Sequence, residues 1–271
     1  MELTITKQDF AAAIATPFTA IDDVFNRCQP LFGAAQKSLE KAINYTVAQI
    51  DVANAQMVKD YICLLAFYNE LPQMDLILTP TGFGIVSNNT LAPASKERVE
   101  NLKNNTLRRA IETKYLLLDE LYSTAAYVDA QGIPDSFIVL WSQYLGLAGD
   151  TLDAQKFDTL RYKFRSIETK LARVISMAEL LALRALCARQ WLPDWTATAA
   201  QREAIEYIEL FVIGKADDLT TADEYLPRLL AVVNDPANAA DFPSYVASSE
   251  YVANNSQPYE NGVDKPTYFF C

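Results

Sequence analysis

The chain contains no histidine. That absence removes Ser-His-Asp and Cys-His catalysis, every His-ligated metal site and the most common general base near neutral pH. Cysteine is sparse: Cys28, Cys63, Cys187 and Cys271 are widely separated and form no CxxC pair. Zinc fingers and small disulfide frameworks need closer spacing, so a reduced protein is expected. Glycine is scarce too, and Gly82-Phe83-Gly84 is the one Gly-rich feature. It lacks the third glycine of a dinucleotide loop and the Gly-Lys-Ser/Thr ending of a P-loop. Its simplest reading is a turn that needs positive φ. No apolar run approaches the roughly 20 residues of a membrane helix. The N-terminus, Met-Glu-Leu-Thr-Ile-Thr-Lys-Gln-Asp, lacks the basic and apolar regions of a signal peptide. A soluble, cytoplasmically made protein with no membrane partner is expected. Positive charge is the minority sign, with 23 Lys and Arg against 34 Asp and Glu and a net charge of −11. Surfaces that wrap nucleic acid need clustered cations to displace counterions. An acidic surface serves solubility, or lets DNA slide past.

What is present is apolar material in helical patterns. Hydrophobic residues make up 51% of 271 residues, enough for one large or two smaller cores. Lys7 to Ala15 reads as a short helix stopped by Pro17. Thr19 is a candidate cap for the next helix, and Pro30 suits the first turn of another, running to about Tyr45. Asp51 to Leu71 is apolar nearly all round and belongs in the middle of a bundle. Asp75 to Val86 contains two β-type runs around Thr79-Pro80-Thr81-Gly82, the chemistry of a hairpin turn. Pro93 opens a long helix to about Tyr127, and Asp129 to Asp135 is the best break. Ser136 to Leu147 reads as a short aromatic helix. Ala154 to Trp191 reads as one long helix or two with a bend. Ala199 to Ile213 reads as a helix with Gly214 as its C-cap. Thr220 or Thr221 caps a further segment reaching Val233. From Asn234 the periodicity fades, and the chain closes on Tyr268-Phe269-Phe270-Cys271.

The fold class expected is therefore all-α, mainly a helical bundle, with one small β-hairpin around 75–86 and an extended C-terminal tail. Residues 1–128 form an N-terminal helical unit with the hairpin, 129–233 a C-terminal helical unit, and 234–271 an extended docking tail. One phrase occurs twice. Phe25, Phe32, Leu39 and Ile43 match Phe157, Phe164, Leu171 and Ile175 in spacing, and both stretches later close on Leu-Pro, at Leu71-Pro72 and Leu192-Pro193. An internal duplication and a chance match of helix patterns both explain it. If it is a duplication, residues 25–72 and 157–193 form two equivalent helix pairs.

Chemistry-bearing clusters are thin. Asp22-Asp23, Asp119-Glu120 and Asp217-Asp218 are sequence neighbours, which point about 100° apart on a helix and make no acid/base pair. Glu168 and Glu179 stand too far apart along a helix to share a metal unaided. All of these read as solvated faces. Arg161, Lys163, Arg165, Lys170 and Arg173 form a basic run with Tyr162 and Phe164 interleaved. It reads as a nucleic-acid-reading face or as a solvated helix in which Glu168 pairs with nearby bases. No catalytic, cofactor-binding or metal-binding residue is assigned, and the chain is not expected to be an enzyme. Phe83 and Ile85 at the hairpin, and Tyr268, Phe269 and Phe270 in the tail, are the candidate contact residues.

The string Thr79-Pro-Thr-Gly-Phe-Gly-Ile-Val-Ser-Asn-Asn-Thr-Leu-Ala-Pro-Ala-Ser-Lys-Glu-Arg-Val99 resembles a signature of an uncharacterised protein family of Bacteroidetes phages and prophages. The resemblance extends from Leu3-Thr-Ile-Thr-Lys-Gln-Asp-Phe10 to the aromatic C-terminus. The expected architecture is also similar to phage head–tail connector proteins, although typical connectors are about half as long. Those proteins form rings, commonly twelve-fold, below the portal, and their termini reach into adjacent subunits. The resemblance implies a virion structural protein at the head–tail interface, assembled in the host bacterial cytoplasm. Its partners would be copies of itself, the portal and tail or other ring proteins, with DNA as non-specific cargo in a lumen. A helical-bundle enzyme using carboxylates and a metal, and a non-virion adaptor encoded by a mobile element, are the rival readings.

Overall fold

Helix α4 (Ala55–Glu70) carries apolar side chains over most of its circumference, and burial follows that pattern. Val58, Tyr61, Ile62, Cys63, Leu64, Ala66 and Phe67 are all buried. Such a helix must be covered on several sides. Helices α1 (Lys7–Ile14), α2 (Ile21–Cys28), α3 (Phe32–Ile43) and α5 (Lys96–Tyr122) pack against it. The computed structural model describes residues 3–14, 21–74, 76–79, 82–85, 96–134, 137, 139–141, 143–144 and 154–256. The expected stop at Pro17, the Thr19 cap and the Pro93 helix start lie outside these residues.

The expected all-α class holds, with one hairpin. Strands β1 (Leu76–Thr79) and β2 (Gly82–Ile85) pair antiparallel, with Leu76 opposite Ile85 and Leu78 opposite Phe83. Gly82 and Gly84 therefore belong to a strand, where they pair with Thr79 and Ile77.

The chain divides into two compact units. The first comprises residues 1–132, 139–162 and 191–194, and the second 133–138, 163–190 and 195–271. The units thus interleave in sequence, where contiguous blocks at 1–128 and 129–233 had been expected. In the first unit, cationic side chains close helix ends. Arg109 donates to the carbonyls of Ala13 and Ile14 at the end of α1, at 2.7 and 3.2 Å. Arg27 reaches the end of α4, donating to Glu70 at 2.8 Å and to the Gln73 carbonyl at 2.7 Å. Free carbonyls and the negative end of the helix dipole favour cations there. Cys28 and Cys63 are buried, and desolvation pushes both thiols up to about 12.

Helix α5 stops at Tyr122, short of the expected Tyr127. The hydroxyls of Ser123 and Thr124 bond back to the carbonyls of Asp119 and Glu120, which competes with helix propagation. Extended backbone at Thr124 then starts α6 (Ala125–Gln131), which ends at Gly132 with φ 65°. In the following segment, Phe137, Val139, Leu140, Trp141 and Tyr144 are buried, as an aromatic stretch predicts.

The stretch from Ala154 resolves into two helices, α7 (Ala154–Ile175) and α8 (Met177–Cys187). Ser176 separates them with φ 69°, a conformation a non-glycine residue adopts only when its surroundings hold it there. Its hydroxyl accepts from the Glu179 N–H at 3.2 Å and so caps α8. The repeated phrase is built differently in its two occurrences. Phe25 and Phe32 lie on separate helices joined by a tight turn at Gln29–Leu31, whereas Phe157 to Ile175 lie on the unbroken α7. The first phrase falls within one unit, while Phe157 belongs to the first unit and Phe164, Leu171 and Ile175 to the second. The phrase is therefore a shared spacing of core positions without a shared local packing.

The second unit is completed by α9 (Ala199–Ala216), α10 (Tyr225–Asn234), α11 (Pro243–Val246) and α12 (Ser249–Asn255). Through residue 255 the expected extended tail is helical in part, because Phe242 and Tyr245 are buried and anchor it. Gly214 is not a cap. It lies inside α9, where a Cβ would stand 2.7 Å from the Ala222 Cβ and 3.2 Å from its Cα. The glycine is needed for close approach. Overpacking costs about 1–3 kcal/mol, against a helix-propensity gain of about 1 kcal/mol, and the Ala222 backbone cannot swing aside. Gly214→Ala is expected to destabilise the protein by about 1 kcal/mol in urea unfolding, and adding Ala222→Gly should recover part of the loss.

Candidate functional site

Two kinds of feature among the described residues gather polar groups: a pocket, whose Gln49, Asp51 and Thr124 stay exposed to water, and a set of carboxylate clamps. The pocket lies in the first unit. Asn44 leaves α3 in the left-handed conformation, φ 50°, which Asn tolerates better than most residues. Its amide donates to Gln131 Oε1 at 3.2 Å, and Gln131 returns a bond to the Asn44 carbonyl at 3.1 Å. Tyr127 donates its buried hydroxyl to the Ile43 carbonyl at 2.9 Å. The end of α3 is thus tied to α6. The chain then turns through Thr46, whose N–H and hydroxyl both donate to Gln49 Oε1, at 3.3 and 2.5 Å. Asp51 follows, and its Oδ1 accepts from the Ala53 N–H at 3.0 Å.

These bonds shape a pocket of about 160 Å3. Ile50, Leu121 and the rings of Tyr45 and Tyr127 form its apolar wall, and Gln49, Asp51, Asn54 and Thr124 supply its polar groups. The two tyrosine rings meet edge to face, with centroids 5.2 Å apart. Tyr122 meets Tyr127 in the same way at 5.1 Å. Burial, with Tyr122 close by, holds the Tyr127 phenol well above the ordinary tyrosine range, so it remains a donor. Asp51 is the one charged residue of the lining.

The clamps are acidic side chains that bind distant backbone. Glu168 is fully buried on α7. Its Oε1 accepts from the Phe137 N–H at 2.8 Å, and its Oε2 accepts from Arg184 Nε and Nη2 at 3.0 and 2.7 Å. Burial raises its pKa, against the pull of Arg184 and the Phe137 N–H. Glu179 is buried on α8, and its Oε2 accepts from the Tyr245 N–H at 2.9 Å. Burial raises this carboxyl also, while the N–H groups of Tyr245 and Ser244 oppose the rise. In the first unit Asp119 accepts from the Trp141 N–H at 3.1 Å. Asp158 accepts from Lys114 and from the Tyr115 hydroxyl, both at 2.5 Å. Burial pushes the Asp158 carboxyl up, but the bonds from Lys114 and Tyr115 prevail and hold it below the usual value.

The solvated reading of these acids is thereby corrected for Glu168 and Glu179, which turn inward, and for Asp119, which is half-buried and bonded. Helical phase put them on inner faces, and backbone donors compensate them there. Asp22 and Asp23 are exposed, as expected. In the basic run, Arg161, Lys163, Arg165, Lys170 and Arg173 are exposed and Tyr162 is 83% exposed, but Phe164 is buried. Glu168 therefore pairs with Arg184 on the next helix and with none of that run. Lys163 spans to the Ala216 carbonyl at 2.9 Å, closing the end of α9.

Phe83 and Ile85 fall on β2, at register positions opposite Leu78 and Leu76. Tyr268, Phe269 and Phe270 lie outside the described residues. The pocket joins none of these five residues. It was missed because its polar groups lie in a turn region without helical periodicity. The legible signals were Thr46-x-x-Gln49, a capping pair, and Asp51 ahead of an apolar helix.

The described residues define an all-α chain with a small hairpin and a tyrosine-walled pocket. Residues 33–130 match a family of unknown function, DUF6712. Every lining residue of the pocket falls inside that segment. No curated protein and no solved structure matches the chain.

Removing one member of a buried pair strands the other, at a cost of about 3–5 kcal/mol. Arg184→Met is expected to destabilise the protein by about that amount in denaturant unfolding. Glu168→Gln added to it, which keeps an acceptor for the Phe137 N–H, should recover part of the loss. A second expectation concerns pH. The folded pKa of Glu179 lies above its ordinary value of 4.5, so the native state holds this proton longer than the unfolded chain. Its contribution to stability falls as pH rises from about 4.5 through the folded value. Glu179→Gln should flatten that part of the stability–pH curve, read as urea midpoints between about pH 4 and pH 7. The share due to Glu168 remains.

Proposed function

We propose that the chain is a phage virion structural protein, a head–tail connector or adaptor ring subunit that links the portal to the tail and lets DNA pass. The observation that carries this reading is how two fully buried acids and one half-buried acid are used. Glu168, Glu179 and Asp119 each spend an oxygen on a backbone N–H remote in sequence. Groups committed in this way fix the course of the polypeptide and are not poised for proton transfer to a substrate. That is the economy of a scaffold.

Two further features support assembly. The β1–β2 ribbon places Leu76 opposite Ile85 and Leu78 opposite Phe83. A two-stranded ribbon is marginal by itself and gains stability when another surface covers it. In a ring, a neighbouring subunit would supply that surface at Phe83 and Ile85. The net charge of −11 suits a lumen that DNA traverses without adhering. The virion setting rests on the Thr79 to Val99 string and its resemblance to phage sequences. In this reading Tyr268, Phe269 and Phe270 seat in a groove of an adjacent copy as aromatic anchors.

Light scattering on the full chain, alone and mixed with portal complexes, tests the proposal. Ring-sized assemblies are expected in at least one condition, and replacing Tyr268, Phe269 and Phe270 together with Ala should weaken them. A monodisperse monomer in both conditions would overturn it. Absence of the chain from purified particles by mass spectrometry would move it to a non-virion adaptor.

A further inference from the structure

We propose that the tyrosine-walled pocket of the first unit is a socket for an arginine side chain presented by another polypeptide. Size narrows the ligand first. At about 160 Å3 the pocket is well below the range of about 300–1,000 Å3 that small-molecule and cofactor sites occupy. A nucleotide or an extended metabolite does not fit, whereas a single side chain does.

Charge narrows it next. Asp51 brings the one formal charge of the lining, and no Lys or Arg is there to neutralise it. One of its oxygens is held by the Ala53 N–H, which fixes the direction of the carboxylate. Gln49 Oε1 is fixed by Thr46. A divalent ion would need several ligands of this type, and among the described residues no group of three or more metal-ligating side chains is found. The occupant is therefore an organic cation.

The walls select among organic cations. Tyr45 and Tyr127 line the same pocket as Asp51, and aromatic rings attract cations. A guanidinium is planar, weakly hydrated and able to stack on a ring while donating sideways to a carboxylate and an amide oxygen. Asp51 and Asn54 both belong to the lining and carry oxygens able to accept those donors. An ammonium, a compact and strongly hydrated charge, uses the flat walls less well. Val52 follows Asp51 in the turn and is 73% exposed, an apolar contact for the chain that carries the arginine. The identity of that chain, a second copy or another ring protein, rests on the assembly reading above, but the chemistry of the socket does not.

The test uses the full chain and free amides. N-acetyl-arginine amide is titrated while the ring resonances of Tyr45 and Tyr127 are followed by NMR. The same titration is run with the citrulline analogue, which has the same shape without charge, and with the lysine analogue. Saturable shifts at both rings are expected with arginine, with affinity about tenfold lower for citrulline and severalfold lower for lysine. Asp51→Asn keeps a good capping residue, so it should fold, and should weaken arginine binding about fivefold. Absence of shifts, equal binding of citrulline or an unaffected Asp51→Asn variant would overturn the socket. Equal binding of lysine would overturn the guanidinium assignment. A chain that binds the amide yet stays monomeric beside the portal keeps the socket and loses the assembly reading, and a ring that ignores the amide does the reverse.

Discussion

A carboxylate taken out of water must find hydrogen-bond donors or give up its charge, and much of this structure is arranged around that constraint. Glu168 illustrates it. Three N–H groups converge on its two oxygens, two from Arg184 and one from the Phe137 backbone. Arg184 and Phe137 come from different parts of the chain, so one side chain fixes a helix pair and a connecting segment together. Glu179 does the same for α8 and α11, whose first N–H groups would otherwise lack acceptors. Arginines and lysines mirror the arrangement. Arg109, Arg27 and Lys163 reach helix ends where carbonyls are left without partners. Polar side chains inside this protein serve mainly as fittings between backbone segments.

The helices were legible in the sequence because burial in α4 and α7 follows apolar periodicity, and periodicity survives translation into structure. The hairpin was legible because Pro80 and Gly82 leave few alternatives to a tight turn between β-type runs. Boundaries were harder. α5 ends at Tyr122 through two hydroxyls that bond backward, a competition that a hydrophobic pattern does not register. Gly214 looked like a terminator because glycine commonly ends helices, yet its role depends on Ala222, eight residues further on and folded back against it. The interleaving of the two units depends on contacts distant in sequence, which no local signal carries.

The site was less legible than the fold. Glu168 and Glu179 read as surface charges because residue type alone favours exposure. Their helical phase, taken with Phe164, Leu171 and Leu183 as core positions, was the better guide. The pocket could not be read as a unit, since Tyr45 and Tyr127 are 82 positions apart and meet only because Tyr127 bonds to the Ile43 carbonyl. What the sequence did offer were its parts, a capping pair at Thr46 and Gln49 and a capping acid at Asp51.

The thiols described in passing have a consequence of their own. Only a thiolate attacks an alkylating reagent at a useful rate, and Cys28 and Cys63 are held as neutral thiols in a dry interior. Cys187 is equally enclosed, but in the second unit. The three sulfurs therefore act as clocks that start when the surrounding helices part. The rates at which they are capped would time the opening of each half of the molecule separately.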